Sequence, residues 1–391
     1  MATTDVAPGA EQVRPRAATA RARVVDGLDR GLPGHWFPIA RSSALAAKPI
    51  RLRRFGEALA VWRDAAGQPH VFEDRCPHRG AALSLGRVQG NELSCWYHGW
   101  CFDTAGACTQ MPLEEPTPSR LARIAVKTYP AEDRGGYIWA FYGDPARVTP
   151  LVHVPYELED PRWLVYRQDY VWQTNWLNIL DNVLDPLHAV FLHRGVNTQL
   201  KRARFKAFEL RRETDDGFRL GRTGYREDGS VGPVEGETEF LLPNVLRLDL
   251  ADGTERGIMR VVMLPTPIDD HSTYLVYLQA RRVSGLARWR WRLAWWLHWR
   301  RAQNLIKWQD STLLATVGPI GEVRLHEHLA ASDIGVIHLR RVLNRAWARS
   351  QAAALALPAA PSPTPPPPRE PFAAWEIAAD AREGRGGPST S

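Results

Sequence analysis

The chain has 391 residues, 44% of them hydrophobic and 24% charged, which suits about two globular domains and excludes wholesale disorder. Four cysteines are too few for a disulfide scaffold, and no apolar run approaches the ~18 residues of a membrane span. The net charge of +7 equals the seven arginines within residues 281–301, a stretch without an acid; the rest of the chain balances, so a general nucleic-acid binder is excluded.

Residues 1–30 show no apolar periodicity and are expected to form a loose tail. They also lack the apolar core of a secretory signal, so a cytoplasmic location is expected. From residue 31 to about 150 the pattern changes to short β-branched and aromatic runs broken by Gly and Pro, with strands predicted at 58–62, 70–72, 93–96 and 136–142. That spacing predicts a small antiparallel β domain. Residues 143–161 form a Pro-punctuated linker, and the second domain, 151–357, opens with a strand at 163–166 and a helical stretch at 173–193. Strands at 240–242, 260–264 and 273–279 come next, then helices over 286–316 and 334–357. Strands with helices segregated at the ends make the fold class α+β. Residues 358–391, with four successive prolines at 365–368, are expected to be disordered.

The sharpest chemical signal is a pair of short Cys/His segments, Cys76-Pro-His78-Arg-Gly80 and Cys95-Trp-Tyr-His98-Gly99, with sixteen residues between His78 and Cys95. Two thiolates and two imidazoles from two loops bind a transition metal. Structural zinc is the rival, but zinc fingers present cysteines as one pair and histidines as another. Here each loop supplies one of each, the alternation that a [2Fe–2S] centre needs when two Cys hold one iron and two His the other.

The pattern Cys76-x-His78…Cys95-x2-His98, with a glycine following each histidine closely and the Asp103…Gly106 turn beyond, resembles a Rieske iron–sulfur domain over roughly residues 31–145. The resemblance implies one [2Fe–2S] cluster per subunit, bound by Cys76, His78, Cys95 and His98. Respiratory-chain members of the group carry a further, disulfide-bonded Cys in each loop. Ala81 and Tyr97 stand at the matching positions, so the resemblance is to the lower-potential oxygenase type. Cys101 and Cys108 match no ligand position and read as small buried thiols, and Trp100 as a shield over the cluster.

A second constellation lies in the helical stretch, where Asp181, Asp185, His188 and His193 interrupt apolar sequence. Burying such groups costs several kcal/mol without partners, so they want a metal or one another. His188 and His193 are five residues apart, about 140° around a regular helix. They share a face only through π-type widening or a break, for which Pro186 gives a local cause. Two His and one carboxylate form the facial triad of non-haem Fe(II) oxygenases, with positions left open for O2 and substrate.

The segment Asp181-Asn-x2-Asp185-x2-His188-x4-His193 resembles the catalytic helix of Rieske ring-hydroxylating oxygenases, phthalate-dioxygenase-like branch. Asp310, in Trp308-Gln-Asp-Ser, matches the family's third iron ligand, with Glu322 and Glu327 as substitutes; His326 and His328 read as surface residues. The resemblance implies one mononuclear Fe2+ per subunit on His188, His193 and Asp310. It further implies a helix-grip-like antiparallel catalytic sheet with C-terminal helices and a head-to-tail homotrimer. In that trimer the matching Asp185 bridges to a Rieske histidine of the neighbouring subunit.

The expected activity is that of a terminal oxygenase, taking electrons through the cluster and using O2 to hydroxylate, demethylate or dihydroxylate a hydrophobic aromatic or polycyclic substrate. No nucleotide-binding glycine fingerprint is present, so a separate reductase, with or without a ferredoxin, must supply electrons. A Rieske electron-transfer protein leaves the second constellation unexplained, and a hydrophobic-ligand carrier explains neither. Arg202, Arg204, Arg211 and Arg212 read as solvated rather than as carboxylate binders.

Finally, Trp291, Trp295, Trp299, Ala302 and Ile306 recur at helical spacing and are expected to pack on the sheet. Trp289, Leu293 and Trp296 make a second stripe interleaved with Arg, which resembles a basic interfacial helix. Weak, reversible association with anionic membranes is the expectation.

Overall fold

The computed structural model describes residues 27–151, 153–196, 205–225, 229–251 and 258–355. The expected tails fall almost wholly outside these residues, as do Arg202 and Arg204. One correction concerns the end of the N-terminal tail. Leu28–Arg30 form a 3-10 turn with Leu28 fully buried, its carbonyl accepting a hydrogen bond from Trp176 Nε1 at 3.0 Å. An apolar side chain with a core socket is enough to order three residues that carry no periodicity.

The N-terminal half is built from three small antiparallel sheets. One pairs Ile50–Arg54, Glu57–Arg63, Pro69–Glu73 and Thr128–Tyr129; a second pairs His35–Arg41, Tyr137–Tyr142 and Ala131–Arg134. The third, Arg87–Gln89, Glu92–Ser94, Cys101–Asp103 and Cys108–Gln110, carries the Cys95 loop as its central hairpin connection.

The C-terminal half is one seven-stranded antiparallel sheet. Its order is Trp163–Trp172, Thr273–Arg282, Ile258–Pro267, Val245–Ala251, Val231–Leu241, Gly217–Tyr225 and Phe205–Arg211. Both faces of this sheet are covered. Leu275 and Tyr277 pack with the helices, while Tyr274, Val276 and Leu278 pack with Trp36, Trp139 and Phe141 of the N-terminal half. That is why residues 273–279 read as a continuous apolar run rather than an alternating one. The two halves are joined by apolar and polar contacts alike: Phe37 meets Trp176 edge-on at 6.0 Å, and Arg41 pairs with Asp169 at 2.5 Å.

Helical pieces flank the sheet, including the short Ile320–His326 that carries Arg324. Trp176–Leu184 begins at Asn175, whose side chain accepts from Leu177 N at 3.0 Å, and is followed by the short His188–Leu192. Gly285–Leu314 is continuous but contains a π-turn at Trp295–Trp299. Ile334–Leu355 packs against Trp176–Leu184, with Gly335 at the end of that helix. A Cβ on Gly335 would sit 2.7 Å from the Leu184 carbonyl oxygen, so only glycine permits that approach.

Candidate metal centres

The two Cys/His loops close alike. Gly80 N–H donates to Cys76 O at 2.8 Å and Gly99 N–H to Cys95 O at 2.9 Å, with the glycines at φ 78° and 72°. The left-handed conformation turns each loop back so that its Cys and His face inward. Cys76 and Cys95 are buried and their thiols hydrogen-bond one another. Backbone N–H groups of His78 and Arg79 approach the Cys76 sulfur, and those of Tyr97 and His98 the Cys95 sulfur. The bond from Cys76 lowers Cys95, and the same bond, with burial, raises Cys76. The His78 and His98 rings lie 4.5 Å apart, and His78 stacks on Trp100 at 4.3 Å and 6°. Burial pushes Cys101 up to about 11 and Cys108 to about 12, which keeps both as thiols in the core.

The donor set fits a two-iron cluster better than one ion. Four ligands of a single tetrahedral zinc would crowd within about 4 Å of one another. Among the described residues these four do not meet even within 4.8 Å, whereas His188, His193 and Asp310 do. Sulfur atoms ringed by backbone N–H donors also suit thiolates carrying cluster charge.

The second site depends on the break that Pro186 imposes. The helix ends at Leu184, and Asp185 Oδ1 accepts from Leu187 N at 2.9 Å, which starts the next turn. His188 and His193 are thereby brought to one side, their rings 5.4 Å apart. Asp310, on Arg300–Leu314, meets them across the interface: its Oδ1 lies 3.2 Å from His193 Nε2 and 3.8 Å from His188 Nε2. That oxygen is buried and has no hydrogen-bond partner. A buried, orphaned carboxylate oxygen facing two imidazole nitrogens is what a cation site leaves when described without its ion.

Each histidine is oriented from behind, as metal-bound imidazoles are. His193 Nδ1 donates to Gln309 Oε1 at 2.9 Å. Burial disfavours the protonated His193, but the nearby Asp310 carboxylate and the Gln309 bond prevail and raise its pKa. His188 Nδ1 meets the backbone carbonyl of Asp185, not its carboxylate. Within one chain, therefore, the Asp185 side chain caps a turn.

Asp181, the other acid of the segment, is held by Arg324 and Arg340, each with Nη2 at 2.8 Å from Oδ2. Arg340 also pairs with Glu327, which engages that substitute carboxylate, while Glu322, His326 and His328 are exposed. Arg211 is engaged by Glu209 and Glu237, both at 3.1 Å.

Sequence reasoning assigned no role to the polar cluster one turn before Asp310. Lys307, only 3% exposed, donates to Gln168 Oε1 and, at 2.5 Å, to Tyr170 OH, and its ammonium lies over the Tyr170 and Tyr277 rings. Buried Gln303 accepts from Gln279 at 2.7 Å and Tyr277 at 3.3 Å. The signal was available: polar residues at 303, 307 and 310 share one helical face that an apolar core would otherwise claim. Lys307, Tyr170 and Trp308 line a cavity of about 600 Å³ between strand Trp163–Trp172 and this helix.

Residues 35–130 match the Rieske [2Fe-2S] domain, and residues 172–349 the vanillate O-demethylase oxygenase C-terminal domain. The chain is 41% identical over 170 residues to a 4beta-methylsterol monooxygenase of Methylococcus capsulatus, an alignment covering 42% of this chain and 46% of that protein. It is 29% identical over 339 residues to the phenoxybenzoate dioxygenase subunit alpha of Ectopseudomonas oleovorans, covering 80% of this chain and 79% of the other. The first of these relatives is thus matched over less than half its length, the second over most of it. The crystal structure of dicamba monooxygenase bound to dicamba superposes with a TM-score of 0.66 over 84% of this chain and 99% of that one, at 21% identity, which shows the fold. An iron–sulfur domain followed by this catalytic domain defines a class, the terminal oxygenases with a Rieske cluster and a mononuclear iron. The chain belongs to the Rieske non-haem iron oxygenases.

Proposed function

We propose that the chain oxygenates a hydrophobic aromatic or polycyclic molecule, by hydroxylation, oxidative demethylation or dihydroxylation. The observation that carries the reading is the convergence of His188, His193 and Asp310 around an unpartnered carboxylate oxygen. In this reading Cys76, His78, Cys95 and His98 hold the cluster, and the other three side chains hold the mononuclear iron. When bound, the two groups supply single electrons and O2 activation. The protein's part is ligation, orientation and exclusion of water. Gln309 and the Asp185 carbonyl fix the two imidazoles, so that both Nε2 atoms face one point. In this reading the cavity beside Lys307, lined by Tyr170, Trp172, Trp295 and Trp308 but by none of the three iron ligands, is the approach by which an apolar substrate reaches the site.

A separate reductase, directly or through a ferredoxin, supplies the electrons, and the working assembly is a cytoplasmic homotrimer. The test is reconstitution with a reductase, metal analysis, and O2 uptake coupled to product formation across a hydrophobic substrate panel read by mass spectrometry. A sterol and a phenoxybenzoate head that panel, because the matched relatives are named for them. About three irons per chain with coupled product are expected. About two irons, with cluster turnover but no O2 uptake, would make the chain an electron carrier and end this reading.

A further inference from the structure

We infer that the first half of helix Gly285–Leu314 docks the protein on an anionic lipid surface. Trp291 and Trp295 hold the helix down, 7% and 6% exposed, with Trp295 stacked on Tyr166 at 4.3 Å. The opposite face is left open. Leu286, Trp289, Leu293, Trp296 and Leu297 are 81%, 69%, 59%, 67% and 43% exposed, at three- and four-residue spacing. Five bulky apolar side chains standing in one stripe exceed the scattered exposure ordinary for a surface.

Charge selects the partner. Residues 283–309 contain no acid and carry Arg288, Arg290, Arg292, Arg300, Arg301 and Lys307. Among the described residues, no ion pair engages Arg290, Arg292, Arg300 or Arg301; Arg292 instead lies over the Trp289 ring at 5.4 Å. Tryptophan and leucine between unneutralised arginines fit the headgroup boundary of an anionic bilayer, where rings sink to the acyl edge and guanidinium groups meet phosphate. A second copy of this chain would have to bring acids to the same stripe. No described helix is long and apolar enough to cross a membrane, so the docking is peripheral. The stripe continues through Arg300, Asn304 and Trp308, which line the 600 Å³ cavity. The docked protein would therefore hold that cavity beside the lipid, where a lipophilic substrate is concentrated. This last step rests on the proposed oxygenase reading; the docking itself does not.

The experiment is flotation of the cluster-loaded protein with vesicles of phosphatidylcholine, with and without about one-third phosphatidylglycerol, at low and high salt. Binding is expected only with the anionic vesicles, and is released by salt. Each arginine near the surface contributes about a fivefold gain in partitioning, so Arg290, Arg292, Arg300 and Arg301 changed together to Gln should weaken binding by several hundredfold. Trp289→Ser with Trp296→Ser should weaken it while the cluster absorbance and the oligomeric state stay unchanged. Absence of flotation, equal flotation with neutral vesicles, or a changed oligomeric state in the Trp variant would each overturn the inference. The last outcome would assign the face to a second copy of the chain. Because vesicle binding is read without turnover, an inactive enzyme that floats would overturn the oxygenase reading alone.

Discussion

Asp310 Oδ1 is the atom on which the mononuclear site turns, because it is buried, faces His193 and His188, and has no proton donor of its own. Replacing His188 or His193 by Ala should remove about one iron of three and reduce oxygenation by at least about a hundredfold. The Rieske absorption should be untouched, because its ligands lie on two loops of the N-terminal half, away from the helices that carry the triad. Turnover persisting in His188→Ala would reject this ligand set. Lys307 makes the complementary case, of stability given up for binding. Burial lowers it from 10.5 to about 8, so below pH 8 a full ammonium sits among neutral partners. Between about 8 and 10.5 the folded chain has released a proton that the unfolded chain still binds, and stability rises with pH across that window. Lys307→Met should therefore be more stable than the parent at pH 7, by roughly 1 kcal/mol. The gap should close as the pH passes 10.5, and oxygenation should fall at the same time. Thermal melts from pH 6 to 11 measure the gap. A variant less stable than the parent at pH 7 would show that the ammonium is held for the fold.

The elements that carry ligands are fixed by what surrounds them. Asp181 ties Trp176–Leu184 to Arg324 and Arg340, whose side chains are 5% and 3% exposed. Asp181→Asn leaves two buried guanidinium groups short of a charge, with only Glu327 remaining for Arg340. The expected loss is about 3–5 kcal/mol, read as a shifted denaturant midpoint, together with weaker mononuclear iron binding. An unchanged midpoint would mean that the helix is positioned by Gly335 and apolar packing alone. Much of this level was legible in the sequence. Residue types and spacing named both Cys/His loops and the His188/His193 pair, because metal chemistry needs few residues at short intervals. Pro186 announced the break, and the tryptophans separated as their spacing indicated, Trp291 and Trp295 inward, Trp289 and Trp296 outward; past the π-turn the inward face shifts to Gln303 and Lys307, where the spacing predicts Ala302 and Ile306. The solvated stretch around Arg211 read as strand-like and is the strand Phe205–Arg211, but Gly217–Tyr225 went unseen. Its glycines and its arginines, such as Arg219 paired to Glu239 at 2.8 Å, erase the apolar pattern that marks a strand. The π-turn at Trp295–Trp299 has no local signature either; it begins where Trp295 stacks on Tyr166 of the sheet's edge strand.

At the scale of the whole molecule, one chain leaves its two metal sites with unfinished surroundings. Trp96 and Tyr97, on the Cys95 loop, are 69% and 57% exposed, and Phe191, between the two histidine ligands, is 74% exposed. Large apolar groups at both sites suit the proposed homotrimer if it is arranged head to tail, with the cluster loops of one subunit over the His188 segment of the next. Asp185 is placed for that junction. Its carbonyl orients His188, its Oδ1 caps the following turn, and its Oδ2 has no partner among the described residues. An acceptor on the ligand's own turn, bonded to His78 or His98 of a neighbouring subunit, would give electrons a short path between the two centres. Asp185→Asn keeps the backbone carbonyl and an acceptor for the cap, so both metals should bind and the trimer should persist. What changes is the charge offered to the neighbouring imidazole. Reoxidation of the reduced cluster by substrate and O2 should then slow by at least about a hundredfold in stopped flow. Reoxidation at the parent rate, in a trimer replete with iron, would confine Asp185 to capping the turn that carries His188.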